Sequence, residues 1–372
     1  MKRKLYYYIG MYSLFLLSCT NTMVPINIES VVYKKSSDDL LDAPFVVNTK
    51  WVPLETTDLA LIGRNAELRV SESDFFIVDK HGSRKIFRFD FSGRFLNSIG
   101  NIGRGANEYL SIHDVVIQTN GNVEIFSPPQ VSLCLFSTSG LFLSRNEYAY
   151  PAHKMIRDGD GYWLYTGFGN GIRPERLIKI DTIGRESGSF LPSTAMVLHM
   201  TEDWPVFSQN NDRIFMRERL NSTIYELSGN EVKPIYQFDF GQFNVPPNYF
   251  EHNDAFTAAE TLFSRPFIAI ERFMENDKYA VVQGLVNNGE APLSIIGIKE
   301  KNDNGNWYWF DCMPNGDNPL FFWTFLVLTD NSDLFCLIQP EQIITLKDSY
   351  QIEVLRNVHE EDNPIILILQ LR

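Results

Sequence analysis

The chain has 372 residues, 44% of them apolar and 13% aromatic, which is enough to bury a large core. Its formal net charge is −13. A chain this acidic repels nucleic acid and anionic membrane surfaces, so neither is expected as a partner. The 28 Phe and 16 Tyr residues are scattered rather than clustered, a distribution that favours a β-rich protein.

The N-terminus has the layout of a targeting segment. A basic stretch, Lys2–Lys4, precedes the apolar run Leu5–Leu17, which is too short to span a bilayer. The run leads into Leu-Leu-Ser-Cys at Cys19, which resembles the lipobox of bacterial lipoproteins. That resemblance implies that residues 1–18 are removed as a signal peptide and that Cys19 is the lipidation site. The alternative is an ordinary signal peptide followed by a chance cysteine.

Residues 19–43 are polar in their second half and are predicted to form a tether between the lipid and a folded body over residues 44–372. The sequence after Cys19, Thr-Asn-Thr, lacks the acidic run that marks surface export in some lipoproteins. We therefore expect an outer-membrane lipoprotein, with the periplasmic face favoured over the cell surface.

The first structural unit is predicted between Glu67 and Ile99. Glu67–Val70 is followed by three β-runs, Phe75–Val78, Ile86–Phe89 and Phe95–Ile99, with glycine-containing turns between the last three. Four antiparallel strands with tight turns make one propeller blade. The Gly100–Tyr109 segment that follows would lead to the next blade.

A repeat becomes visible when the chain is aligned on the second turn of this blade. The turn glycine recurs at Gly93, Gly140, Gly184 and Gly229, at a spacing of about 45 residues that is typical of propeller blades. A type I turn closed by a residue with positive φ favours glycine at this position. The repeat predicts a β-propeller.

The repeat is then interrupted by an insertion over Phe243–Arg265. Asn253 or Asp254 is a plausible N-cap there, and Pro266 would end a helix. An apolar face at helical spacing is predicted for Phe256, Ala259, Leu262 and Phe263. We expect a short amphipathic helix that packs on the rim of the propeller, with a lid as the alternative.

The C-terminal run Pro364–Arg372 is too apolar for an exposed tail and is predicted to be a strand buried on both faces. Counting blades gives six, with the last one lacking an outer strand. Thr49–Glu55, from the N-terminal side, can supply that strand and hide the open edge. The predicted fold class is therefore all-β: a six-bladed β-propeller closed by an N-terminal strand, with a short helical insertion.

The chain resembles a family of six-bladed β-propeller lipoproteins from Gram-negative bacteria that are distantly related to NHL-repeat propellers. The resemblance is carried by Val52–Thr57, Gly100–Asp114, Asn221–Tyr225 and Glu361–Pro364. It covers residues 45–372 and implies the fold rather than the function. In NHL-type blades, a loop like Gly100–Tyr109 joins the outer strand of one blade to the inner strand of the next.

Motifs for catalysis are missing from the sequence. The six histidines are dispersed without an HExxH or HxH pattern, and neither a Walker loop nor a G-x-S-x-G motif occurs. Cys134, Cys312 and Cys336 lie in apolar surroundings and are predicted to be buried free thiols. We therefore expect no catalytic residues, no cofactor and no metal, although blades could still bring distant ligands together.

The connection after the first blade is the densest set of polar and aromatic groups on a predicted loop. Its candidate ligand-binding residues are Arg104, Glu108, Tyr109, His113 and Asp114. The alternative is structural, with Arg104 paired to Glu108 and Tyr109 packed between blades. Gly100, Gly103 and Gly105 are predicted turn glycines, with one or both of the last two at positive φ.

These observations favour a lipid-anchored binding module in the cell envelope that performs no chemistry and touches the membrane through its lipid only. Its partner would be a glycan, a peptide or another envelope protein. Two alternatives stay open. One is a metal-dependent propeller enzyme, lactonase-like or lyase-like, that uses the central channel, and the other is a structural subunit of an outer-membrane complex.

Overall fold

Six antiparallel sheets follow one another along the chain in the computed structural model. The structure describes residues 28–36, 39–127, 132–148, 150, 152–159, 161–168, 173–193, 195, 205–252, 254–289, 293–302, 305–312, 325–344 and 352–372. The predictions for residues 1–18 and Cys19 lie outside these residues.

Two strands precede the first sheet, and six groups of strands follow. The first two are β1 (Glu29–Val32) and β2 (Val46–Pro53). Blade 1 contains β3 (Glu67–Val70), β4 (Asp74–Asp79), β5 (Lys85–Asp90) and β6 (Phe95–Ile99). Blade 2 contains β7 (Asp114–Ile117), β8 (Val123–Ser127), β9 (Ser132–Phe136) and β10 (Phe142–Glu147). Blade 3 contains β11 (Lys154–Asp158), β12 (Gly161–Tyr165), β13 (Glu175–Asp181) and β14 (Glu186–Pro192).

The second half of the chain repeats the pattern. Blade 4 contains β15 (Phe207–Asn210), β16 (Arg213–Arg217), β17 (Thr223–Ser228) and β18 (Glu231–Asp239). Blade 5 contains β19 (Phe267–Glu275), β20 (Tyr279–Asn287), β21 (Leu293–Glu300) and β22 (Trp307–Cys312). Blade 6 contains β23 (Phe325–Leu328), β24 (Asp333–Ile338) and β25 (Ile365–Leu371). The helices are α1 (Ala255–Phe263) and α2 (Pro340–Ile344), and short 3-10 helices span Leu40–Asp42, Gly241–Phe243, Pro247–Glu251 and Glu353–Leu355.

The core of the molecule lies between the blades. Each neighbouring pair shares one buried apolar cluster, and the sixth cluster joins blade 6 to blade 1. Strands such as β4 are buried along their whole length because both faces of the sheet are covered. Six sheets packed face to face around one axis form the predicted six-bladed propeller, and the fold class is confirmed.

The ring is closed by the N-terminal strand, as predicted. β2 pairs antiparallel with β25, opposing Thr49 to Leu369 and Trp51 to Leu367. A buried amide then fastens the two chain segments together: Asn363 Nδ2 donates to the carbonyl oxygens of Glu55 (2.8 Å) and Ala60 (2.6 Å). Val52–Thr57 and Glu361–Pro364, two stretches that carry the family resemblance, therefore meet at the seam of the ring.

The predicted tether over residues 19–43 is wrong for its second half. β1 adds to the outer edge of blade 4 as a fifth strand, parallel to β18, with Glu29 opposite Tyr236. Val31 is buried in the cluster between blades 4 and 5, and Leu40 is buried between blades 5 and 6. These apolar residues give the segment a partner on the propeller, so the folded body begins before residue 44.

The four repeated turn glycines share one backbone conformation. Gly93, Gly140, Gly184 and Gly229 all have positive φ, between 56° and 87°. At Gly140, a Cβ would stand 2.5 Å from the Ser98 carbonyl oxygen of blade 1, so the turn also lies against its neighbouring blade. A side chain would be strained by both effects.

The insertion before blade 5 contains the predicted helix, α1. Asp254 caps it, since its carboxylate accepts the Thr257 N–H at 2.8 Å. The predicted apolar face is only partly correct. Ala258 and Leu262 are buried against the propeller, whereas Phe256 is 85% exposed and Phe263 is half exposed.

Candidate functional site

The two ends of the propeller differ in their connections. Neighbouring strands of a blade are antiparallel. The connection that leads into the inner strand of a blade therefore lies at the same end of the propeller as the connection that follows its second strand. That end, here called the loop face, carries the long connections 100–113, 240–266 and 339–364. The opposite end, the turn face, carries the tight hairpins that contain the repeated turn glycines.

Charged side chains converge where the inner strands of blades 1 to 3 begin on the loop face. Glu67, Asp114 and Lys154 are the first residues of β3, β7 and β11, and all three are buried. Arg69 on β3 and Lys80 after β4 join them. We call these five residues the mouth cluster, because inner strands line the central channel of a propeller.

Glu67 holds two cations of the mouth cluster. Its carboxylate forms an ion pair with Lys80 and accepts a hydrogen bond from Arg69 Nη2 at 2.8 Å. Burial by itself would raise the pKa of Glu67. The positive charges of Lys80, Arg69 and Lys154 outweigh that effect and hold the pKa well below its usual range. Glu67 is therefore ionised at every physiological pH.

Asp114 joins the blades. Its Oδ2 accepts the Met155 N–H of blade 3 at 3.1 Å, and its Oδ1 lies 3.4 Å from Arg69 Nη2 of blade 1. The carboxylate thus connects three successive blades at the start of their inner strands. Asp114 has a positioning role, and it also supplies the second negative charge of the cluster.

Lys154 is a fully buried cation of the mouth cluster. Its Nζ donates to the His113 carbonyl oxygen at 3.0 Å. Burial lowers the pKa of Lys154, the nearby Lys80 lowers it further, and it falls to about 7 although Asp114 and Glu67 act in the opposite direction. Within the mouth cluster, three cations face two carboxylates.

Two further groups near the mouth cluster have pKa values that are lowered by burial. Burial and the charges of Lys154 and Lys80 lower the pKa of His113 to about 4, so its half-buried imidazole is neutral at pH 7. Arg272 on β19 is buried, and its guanidinium carbon lies 3.0 Å from the centroid of the Phe325 ring. Burial lowers the pKa of Arg272 well below its usual value, against the attraction of Glu67.

The predicted site residues on the connection separate into two groups. Arg104 is exposed and Tyr109 is fully buried, with its hydroxyl donating to the Arg84 carbonyl oxygen at 3.3 Å. The Tyr109 ring packs edge-on against Phe136 of blade 2. Only His113 and Asp114 reach the mouth cluster, so the five candidates do not form one site.

Glu108 shapes the connection locally. Its carboxylate accepts the Gly105 N–H at 2.7 Å, and no ion pair with Arg104 appears among the described residues. A Cβ on Gly103 would collide with this carboxylate. The expected positive φ at Gly103 or Gly105 is wrong; the positive φ of this segment is at Gly100, whose Cβ position lies 2.7 Å from the Phe136 ring.

Sequence reasoning missed Glu67, Arg69, Lys80 and Lys154. A signal was present, because Glu67 and Asp114 stand at the same spacing before the turn glycines Gly93 and Gly140. Aligning the blades on their inner strands as well as on their outer turns would have shown charges recurring at strand starts.

A second buried charge cluster lies between blades 3 and 4. Arg176 donates to both oxygens of Glu218, at 2.7 and 3.0 Å. Tyr165 and Asn221 complete the carboxylate with hydrogen bonds of 3.2 and 3.0 Å. Burial would lower the pKa of Arg176, but Glu218 outweighs this effect and raises it. We call this arrangement the paired cluster.

An open cleft of about 500 Å³ lies beside the insertion on the loop face. It is lined by Pro246, Pro247, Asn248, Glu260, Thr261, Ser264 and Arg265. Arg265 is the single cation of this lining. None of the lining residues belongs to the mouth cluster. Among the described residues, no three His, Cys, Asp or Glu side chains come together to hold a metal ion.

The comparisons with known proteins agree with the fold. A family model described as a domain of unknown function, DUF4934, matches residues 24–370. A protein from Bacteroides fragilis that is described as exported has a similar structure, with a TM-score of 0.74 and 14% identity over 93% of this chain and all of its own. No curated protein matches the chain.

Two other solved structures are more distant. A DUF4221 family member from Bacteroides vulgatus has a TM-score of 0.54 and 8% identity, over 88% of this chain and 97% of its own. A streptogramin B lyase has a TM-score of 0.47 and 8% identity, over 87% of this chain and 99% of its own. The first two similarities show the fold alone, and the third is too weak to bear on activity. In the part of the chain that the structure describes, no helix is long and apolar enough to cross a membrane.

Proposed function

Since the chain belongs to the DUF4934 family, we propose from its site that it is a lipid-anchored extracytoplasmic propeller that binds an anionic ligand at the mouth cluster. The observation that carries the proposal is the gathering of three cations, Arg69, Lys80 and Lys154, where the inner strands begin. Lys154 is buried beside Lys80 with its pKa lowered to about 7, although two carboxylates are close by. A strongly perturbed ionisable group in a channel mouth is a mark of a functional site.

An anion would remove the cost of this arrangement. A carboxylate, sulfate or phosphate placed against Lys154 would favour its charged form and raise its pKa. Ligand binding would then take up a proton at pH values above 7. The affinity should therefore fall as the pH rises through 7 and beyond, because the free protein loses the Lys154 charge there.

The partner class follows from the location. The cluster lies at the end of the propeller that carries the long connections, and loops on a rigid scaffold often supply recognition. Acidic sugars of a glycan and acidic side chains of a peptide or an envelope protein share the carboxylate that the cluster would hold. No step of catalysis is proposed.

The extracytoplasmic address is supported by the lipobox-like sequence before Cys19 and by the structural neighbour described as exported. In cells, Cys19→Ala should abolish acylation and release the protein from the membrane fraction. Mass spectrometry of the N-terminal peptide and membrane fractionation measure the two effects. A variant that still fractionates with the outer membrane would contradict the lipid anchor.

The binding proposal is tested by two ligands that differ in one carboxylate. Glucuronate, but not glucose, should raise the melting temperature of the purified protein, and acidic but not neutral dipeptides should do the same. Lys154→Met should lose this response. Lys85→Met, which changes an exposed lysine on the same face, should keep it.

Two results would change the proposal. If neither carboxylate, sulfate nor phosphate shifts the melting temperature, or if Lys154→Met responds like the wild type, the mouth cluster is not an anion site. A stoichiometric metal in elemental analysis of the purified protein would favour the enzyme alternative. Capture from detergent-solubilised envelopes, compared between wild type and Lys154→Met, would then identify a partner that needs the cluster.

A further inference from the structure

The apolar tips of two neighbouring hairpins on the turn face have no structural explanation within the fold. Leu141 in blade 2 is 68% exposed, and Ile183 in blade 3 is 67% exposed. Both are next to the repeated turn glycines, Gly140 and Gly184. Exposed apolar side chains that share one face are a feature of interaction sites when they are not scattered singly.

Turn chemistry does not require these residues. The position before the turn glycine is serine in the other three hairpins, at Ser92, Ser139 and Ser228, whereas blade 3 has Ile183. The position after the glycine is Arg94, Leu141, Arg185 and Asn230 in the four blades in turn. Polar residues thus serve the same turns elsewhere, so Leu141 and Ile183 must be explained by something outside the propeller.

The outer turns of blades 2, 3 and 4 lie close to their neighbouring elements. The outer turn of blade 2 lies beside its inner turn, because a Cβ on Gly121 would stand 2.6 Å from Thr138 Cγ2. Gly184 of blade 3 packs towards Tyr148 of blade 2. Asn230 Nδ2 of blade 4 donates to the Ser187 carbonyl oxygen of blade 3 at 3.3 Å.

The N-terminal chain enters the structure at the same side. β1 runs parallel to β18, with Glu29 opposite Tyr236. Ile28 lies one residue before this pair. The N-terminal end of β1 therefore points towards the start of β18 at Glu231, beside the outer turn of blade 4. The described part of the chain thus begins with its N-terminal end directed at the turn face.

The length of chain available limits how far the membrane can be. Nine residues, 20–28, separate Cys19 from β1, and they reach at most about 32 Å when fully extended. Measured along β18, Ile28 lies about 17 Å from the turn of blade 4, and this distance is subtracted from the reach. A lipid on Cys19 would therefore hold the turn face within about 15 Å of the membrane surface.

We infer that the turn face at blades 2 and 3 rests on the membrane that holds the lipid anchor, with Leu141 and Ile183 inserted at the lipid surface. The inference rests on the proposed lipidation of Cys19, and it departs from the expectation that the lipid is the sole contact with the membrane. Arg185, exposed beside Ile183, suits the lipid phosphates, and the apolar tips suit the acyl boundary. The mouth cluster, at the opposite end of the propeller, is then turned away from the membrane.

The opposite face supplies a matched control. Leu59 is 72% exposed on the connection that precedes β3, which belongs to the loop face. Cysteine can be introduced singly at positions 141, 183 and 59 in the full acylated chain, and each can be labelled with NBD. The three proteins are reconstituted into vesicles of phosphatidylethanolamine and phosphatidylglycerol in a ratio of 3 to 1.

NBD emission should rise several-fold and shift to the blue at positions 141 and 183 on reconstitution, and it should stay unchanged at position 59. Flotation of the vesicles and the mass of the Cys19 peptide are measured on the same samples. If the protein is acylated and floats while the labels at 141 and 183 stay unchanged, or if the label at 59 responds instead, the orientation is wrong and the anchor stands. If the protein is not acylated or does not float, the anchor fails and this inference fails with it.

Discussion

The two buried charge clusters of this propeller lie on the same face and differ in their balance. In the paired cluster, one guanidinium donates to both oxygens of one carboxylate, Arg176 to Glu218. In the mouth cluster, Lys154 is a third cation beside two carboxylates. Removing one member of the paired cluster would leave a buried charge without its partner, whereas removing one of the three neighbouring cations of the mouth cluster would relieve their mutual repulsion.

The pKa directions express the same contrast. Glu218 raises the pKa of Arg176 despite burial, while burial and Lys80 lower the pKa of Lys154 to about 7. Arg176 and Lys154 are both buried cations beside carboxylates, yet their pKa values shift in opposite directions. The two clusters differ in their ratio of cations to carboxylates. This contrast separates a structural cluster from a candidate site without reference to any relative.

The largest effect is expected from breaking the balanced pair. Arg176→Met would leave the Glu218 carboxylate buried with only the Tyr165 and Asn221 hydrogen bonds, and the free energy of unfolding should fall by about 3–5 kcal/mol. Urea denaturation measures the change. The control is Arg173→Met, which removes a more exposed ion pair with Glu186 and should cost at most about 1 kcal/mol. Equal losses in the two variants would show that burial is not what makes the Arg176 pair strong.

The same substitution in the mouth cluster should act in the opposite direction. Lys154→Met removes one of the three cations and leaves Arg69 and Lys80 with Glu67 and Asp114. The free energy of unfolding at pH 7 should stay unchanged or rise by about 1–4 kcal/mol, as it does when buried charges are replaced by apolar groups of similar volume. A loss as large as that of Arg176→Met would mean that Lys154 is a necessary counter-charge.

The pH dependence sharpens this prediction. The folded pKa of Lys154 is lowered to about 7, whereas the unfolded value is about 10.4. Between these values the unfolded chain binds a proton that the folded protein lacks, so the stability of the wild type rises with pH. The advantage of Lys154→Met should therefore be largest below pH 7 and shrink towards pH 10. An advantage that does not change with pH would show that packing, not charge, is responsible.

The fold could be predicted from the sequence because its signals are local. Alternation in Ile86–Phe89 and the turn glycine at Gly93 each report on a few neighbouring residues, and the four repeats of that glycine at a spacing of about 45 residues indicate a propeller. The closing strand was found because the apolar run Pro364–Arg372 requires a partner. β1 was missed because four residues that add to a distant edge carry no local pattern of their own.

The site was harder to predict for a related reason. Glu67 and Lys154 begin strands of different blades and Lys80 follows a third strand, so only the packing of the blades brings them together. The sequence pointed instead to the conspicuous loop, where Tyr109 proved to be part of the packing between blades. Residues that are adjacent in the sequence are easy to group, but a propeller assembles its channel from residues about one blade apart.

The smallest effect is expected at the exposed end of that loop. Arg104→Ala should change the free energy of unfolding by no more than about 0.5 kcal/mol, because an exposed side chain without a buried partner contributes little. If the long connections of the loop face guide an anion to the mouth cluster, the same variant should weaken glucuronate binding slightly and increase its salt dependence. Glu108→Ala is the matched control, since it removes a nearby negative charge and should strengthen binding to a similar small degree. Titration at two salt concentrations distinguishes the possibilities. Opposite shifts in the two variants, both suppressed by salt, would place Arg104 on the approach to the site, and identical affinities would remove it from the site altogether.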